Sequence, residues 1–181
     1  MNFIIIKKIE DEKILLNFFK SLLGNSIRIE YFDNYLIIYH NFNNENEIRM
    51  SINSISADLS FMPFVYLSFK PKDAKKELDI ALRLLKNLNS GIYDFKEAIL
   101  YSSNISNKKE ILDYILEATQ INSDFIKEFA LNDLNVSRAS KNMYIHRNTL
   151  LYKCDKFLND TGFDLKNFKD MYILYSLVEN K

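Results

Sequence analysis

The sequence predicts an α+β protein, with an N-terminal α/β domain of sheet and helices followed by an all-helical domain. Three observations carry this. Up to about Tyr101, short runs of β-forming residues alternate with stretches of helical periodicity. Beyond the polar segment SSNISNKK, every periodic stretch is helical. With 48% hydrophobic residues, a chain of 181 can bury one large core or two small ones.

The elements follow in order. NFIII is a short buried strand. EDEKILLNFFKSLLG places Ile14, Leu15, Phe18, Leu22 and Leu23 at helical spacing and stops at Gly24. SIRIEYF and YLIIYHNF flank Asp33-Asn34, a turn-type pair, and predict a hairpin. NEIRMSINSISADLS puts Ile48, Ile52, Ile55 and Leu59 on one helical face. PFVYLSF, rich in β-formers, is expected to be a central strand. DAKKELDIALRLLKNL is an amphipathic helix with Leu78, Ala81, Leu82 and Leu85 inward. GIYDFKEAILY begins as a strand and ends as a helix. Gly and Pro number only 3 and 2, so the turns fall to Asn, Asp and Ser.

The division expected is an α/β domain over 1–101, a linker and connecting helix over 102–123, and a helical domain over 124–181. Asn107 and Glu110 stand at capping-box spacing ahead of the stripe Ile111, Tyr114, Ile115 and Ala118. Ser123 is the expected cap of a helix near Asp124–Leu131, and Asn135 of one near Val136–Met143. A further helix should run from Arg147 to about Asp160 and end at Thr161-Gly162. The last, near Phe168–Val178, has Asn167 as cap and Asp170 in its first turn.

Composition narrows the function. No apolar run approaches the roughly 18 residues of a membrane span. The start, MNFIIIKKIEDEK, has its charges after the apolar residues, the reverse of a secretory signal. The lone Cys154 excludes an intramolecular disulfide and suits a reducing cytosol, so a cytoplasmic location is expected. Formal net charge is zero, but between Val136 and Lys156 five cations (Arg138, Lys141, Arg147, Lys153 and Lys156) stand against Asp155 alone. Such local charge fits nucleic-acid phosphates, and equally a solvated helix face. Gly24, Gly91 and Gly162 are too far apart for a phosphate loop. His40 and His146 lie in different regions, and neither has metal-ligand spacing. His40 is expected at a strand end on the surface. No catalysis and no cofactor are expected.

The stretch NVSRASKNMYIHRNTLLYKC holds two short amphipathic segments around the joint MYIH. On a helical wheel Leu150, Cys154, Phe157 and Leu158 cluster as the core face of the second. Asn148, Thr149, Tyr152, Asp155 and Lys156 fall opposite. The first segment packs through Val136, Ala139, Ser140 and Met143, and its small residues permit close approach. Two short helices with polar side chains at the start of the second make helix-turn-helix geometry, whose second helix enters the major groove of DNA.

NVSRASKNMYIHRNTLLYKCDKFLNDTGFDL, with the helix after it, resembles the C-terminal helix-turn-helix domain of the PucR/CdaR family of bacterial transcription regulators, itself similar to the DNA-binding end of Fis. NVSRAS, HRNTLxYK and TGFDL carry the resemblance over about the last sixty residues. It implies sequence-specific binding of double-stranded DNA. Arg147 would contact a base edge, most naturally guanine. Thr149 and His146 would hold phosphates, and Asn148 either. Tyr152, Lys153 and Lys156 would follow the backbone, with Arg138 and Lys141 as further phosphate contacts. Leu151 and Lys153 stand where the family has Arg, and Cys154 where it has Leu. The α/β half resembles the family's degenerate nucleotide-cyclase fold in its order of elements, and a separate upstream sensor is not expected.

Other readings stand beside these. His146 could be a helix cap, a phosphate ligand or both. Asn148 could be structural, Tyr152 could pack on a neighbour, and Arg138 and Lys141 could be solvated. The α/β half would serve dimerisation, small-molecule sensing or partner contact, with a homodimer expected through the last helix or the sheet. The rival to DNA binding is an interaction or small-molecule-sensing module that kept the fold and lost the DNA.

Overall fold

The computed structural model describes residues 1–7, 12–24, 26–59, 62–102, 105–117 and 119–179. The chain divides into two compact units, Met1–Asn104 and Ile105–Lys181.

The first unit is a five-stranded mixed sheet with helices. Its elements are β1 (Asn2–Lys7), α1 (Glu12–Leu23), β2 (Arg28–Phe32), β3 (Tyr35–His40), α2 (Glu45–Leu59), β4 (Phe64–Ser68), α3 (Ala74–Leu84), β5 (Gly91–Tyr93) and α4 (Phe95–Tyr101). The strand order is β2-β3-β1-β4-β5. All pairings are antiparallel except β4 with β5. Each of β1 and β3 is thus followed by a helix and returns to the sheet two positions away, with one strand between, as two interlocked split β-α-β units. PFVYLSF supplies β4, a fully buried strand flanked by β1 and β5, and β1 is the middle of the five.

One sheet face buries Ile4, Ile6, Leu36, Ile38, Val65 and Leu67 under Leu15 and Phe19 of α1 and Ile48 and Ile52 of α2. Ile14, expected inward, is 44% exposed: helical spacing fixes a direction on the wheel but not how far the neighbouring sheet extends around it. On α2 the buried stripe runs Ile48, Ile52, Ser56, with Ile55 at its margin. The side chain of Leu59 lies outside the described residues, as does Ala118.

The second unit is helical: α5 (Lys108–Leu116), α6 (Ser123–Leu131), α7 (Val136–Asn142), α8 (Arg147–Thr161) and α9 (Phe168–Val178). α9 packs on α5 and α6, and α7 on α8. Two expected caps are corrected. Asn107 adopts a left-handed conformation (φ 63) and makes no side-chain cap bond; its carbonyl alone accepts from Glu110 and Ile111. Asn122, not Ser123, caps α6, accepting from the Phe125 amide. The capping box that does form is Asp94 with Glu97, at the start of α4.

His40 corrects the surface expectation. It is 2% exposed, with the Phe69 ring edge-on at 5.7 Å. Neither ring nitrogen has a hydrogen-bond partner of good geometry among the described residues. Burial pushes its pKa down to about 4, and the Phe42 backbone offsets this only in part.

Candidate nucleic-acid interface

The interface is built from the core outward. Leu150, Cys154 and Phe157 are buried on the inner side of α8. Leu158, placed with them on the wheel, is 36% exposed, because it sits at the edge of the stripe where the neighbouring helices no longer cover it. Burial raises the Cys154 thiol to about 11, which makes it a packing residue at neutral pH. Gly162, at φ 77, ends α8 in the left-handed conformation that costs glycine least, its amide donating to the Leu158 carbonyl at 2.8 Å.

α7 is set by side chains as well as by packing. Ala139 and Ser140 are buried, and Asn135 accepts from the Arg138 amide at 3.0 Å. The buried Asn132 accepts from Asn142 Nδ2 and donates to the Glu128 carbonyl, each at 2.7 Å. It thereby ties α7 to α6. Nothing local in the sequence distinguishes Asn132 from the many other asparagines; only its position between two helices does.

Between α7 and α8 the chain turns through Met143–His146. The Tyr144 amide donates to the Lys141 carbonyl and the Ile145 amide to the Ser140 carbonyl. His146 then caps α8, its Nδ1 accepting from the Asn148 amide at 3.2 Å. An accepting Nδ1 on a neutral ring puts the proton on Nε2, which remains a donor for an outside group. The two readings of His146 are therefore compatible.

His146, Arg147, Asn148 and Thr149 are all exposed, and Tyr152 is exposed one turn on. Arg147 and Lys141 have no ion-pair partner among the described residues. The tip of α8 combines unpaired amides, the positive end of the helix dipole and a free guanidinium, a set suited to phosphates and base edges.

The structure does not bring all the expected residues to that tip. Arg138 is paired with Asp133. Lys153 Nζ donates to the Gln120 carbonyl at 3.4 Å and lies 5.9 Å from the centre of the Phe125 ring. Lys153 and Lys156 line a shallow cleft against Thr119, Gln120 and Ile121, on the flank of α8. Asp155, the one carboxylate of the stretch, is paired with Lys166 at 2.8 Å.

Residues 124–178 match the family described as the PucR C-terminal helix-turn-helix domain. The C-terminal unit carries a helix-turn-helix domain of the PucR type. Over 50 residues the chain is 40% identical to the uncharacterized protein YxkF of Bacillus subtilis (strain 168); the match covers 28% of this chain and 17% of that protein. The fold is similar to a regulator of polyketide synthase expression from Bifidobacterium adolescentis. That likeness has a TM-score of 0.51 at 11% identity, over 98% of this chain and 77% of the other. Among the described residues no helix is long and apolar enough to cross a membrane.

Proposed function

We propose that the protein is a sequence-specific DNA-binding transcription regulator that reads the major groove with the N-terminal end of α8. The observation that carries this is the tip itself, in a domain of PucR type. Its inner side chains are buried, while Arg147, Asn148 and Thr149 are exposed at the helix end that His146 caps.

In this reading Arg147 is the base contact, its guanidinium matching guanine O6 and N7. His146 Nε2, Thr149 and Lys141 hold phosphates, with Tyr152 and Lys156 further along. Arg138 and Lys153 reach phosphate only by leaving Asp133 and the Gln120 carbonyl. One such helix spans a few base pairs, so high specificity calls for a homodimer on related half-sites. The exposed, stacked Phe168 and Tyr172 on α9 support that helix as the contact between copies, with the sheet of the first unit as the other candidate. The first unit would supply dimerisation or take a small-molecule effector.

Selection of bound duplexes from a random pool tests this, followed by titration with the recovered site. Arg147→Ala should cost about 1–3 kcal/mol at one base position and relax its preference, while folding stability stays within about 0.5 kcal/mol. Equal affinity of wild type and variant would sink the assignment. A wild type showing no salt-dependent duplex binding would favour the interaction module.

A further inference from the structure

We infer that Tyr144 is a DNA-backbone contact, its hydroxyl donating to a phosphate at the edge of the groove that α8 enters; this rests on the DNA-binding reading above. Tyr144 is 96% exposed, so the fold gains almost no burial from its ring. It also stands at φ 53, in the left-handed region. Glycine adopts that conformation freely, and turns between paired helices often use it. A bulky L residue there is strained. Of the other described non-glycine residues with positive φ, Asp33, Asn107 and Asp133 are types that tolerate it, Leu134 is half-buried, and Lys70 is exposed but has its amide held by Asn2 Oδ1 at 2.8 Å. Neither packing nor backbone preference therefore accounts for a tyrosine at this position.

Its surroundings point to what does. The turn is fixed by two backbone hydrogen bonds, Tyr144 to Lys141 and Ile145 to Ser140, so the ring leaves a defined base. Lys141 lies three residues before it, and His146 and Arg147 lie two and three after it, all exposed. The ring thus shares a surface with the groups assigned to phosphate and base. Tyrosine hydroxyls are regular phosphate donors, and a side chain with two rotatable bonds loses little entropy on contact.

The test uses the full chain, the recovered duplex and two variants, Tyr144→Gly and Tyr144→Phe. Tyr144→Gly should melt at the same or a higher temperature, yet bind roughly tenfold more weakly. Tyr144→Phe should melt as wild type and bind roughly threefold more weakly, whatever the sequence. Neither should change the salt slope, because a neutral phenol displaces no counterion. A variant of either kind that binds as tightly as wild type overturns the contact. So does a Gly variant that melts lower, since the tyrosine would then be structural. A wild type that retains no duplex at all overturns the DNA-binding reading and this contact with it, whereas normal wild-type binding with unaffected variants removes this contact alone.

Discussion

The polar clusters of the first unit and the α7–α8 turn of the second treat their polar side chains in opposite ways. In the first, polar groups are turned inward and paired. Glu77 is buried and accepts from the Tyr66 hydroxyl at 3.0 Å and from Ser68 Oγ at 2.6 Å. Arg49 donates to Glu45 and Glu97, each at 2.8 Å, and to Asp94 at 3.2 Å, tying α2 to the start of α4. In the second unit, the α7–α8 turn leaves Lys141, Arg147 and Tyr144 to solvent. Paired groups hold a fold together, whereas groups that the fold leaves free are available to a ligand. The same residue types therefore predict opposite phenotypes in the two units: loss of stability in one and loss of binding in the other.

The largest effect expected is at Glu77. Glu77→Ala removes the shared acceptor of two buried hydroxyls and should cost about 3 kcal/mol of stability, with Glu77→Gln costing less because its amide oxygen can still accept. Denaturant melts followed by a probe in the first unit measure this. Duplex affinity of the folded fraction should be unchanged. A Glu77→Ala protein that melts normally and binds DNA poorly would break the contrast between the units.

His40 comes next, as the exception inside the first unit. Its folded pKa lies near 4, below the ordinary histidine value near 6.5. The unfolded chain therefore binds the proton more readily. The stability at stake is complete above about pH 6.5 and is lost as pH falls towards 4. At about 1.4 kcal/mol per unit, this reaches at most about 3 kcal/mol. Stability measured from pH 7.5 to 4 should fall in that window, and His40→Phe should flatten the fall. An unchanged acid profile in the variant would assign the acid sensitivity to other groups.

What was legible in the sequence was whatever is decided locally. The turn at Asp33-Asn34, the caps at Asn135 and Asn167 and the stop at Gly162 each depend on neighbours within a few residues. So does the outward face of α8, since the buried positions Leu150, Cys154 and Phe157 fix its direction. The misreadings depend on backbone conformation or on contacts distant along the chain. Asn107–Glu110 and Asp94–Glu97 share one spacing, yet only the second pair forms a box, because Asn107 enters its helix from a left-handed turn. His40 is buried because Phe69, 29 positions away in the sequence, lies against it. Lys153 counts as a cation in the sequence, but the carbonyl it binds belongs to Gln120, ahead of α6. Tyr144 looked like part of an uncharged joint, since exposure and φ are properties of the folded turn.

The smallest effect carries the contrast into the second unit itself. Lys141 and Lys153 bear the same charge within one basic stretch, but only Lys141 lacks a partner. If phosphate binding belongs to the free cation, Lys141→Ala should lower the slope of log affinity against log salt by about 0.9 and cost about 1 kcal/mol near 0.1 M salt. Lys153→Ala should leave the slope nearly unchanged and instead cost a few tenths of a kcal/mol in stability, as its contacts with Gln120 and Phe125 are lost. Equal slopes for the two variants would mean that Lys153 gives up the Gln120 carbonyl on binding. The phosphate contacts along the flank of α8 would then include Lys153 as well as Lys156.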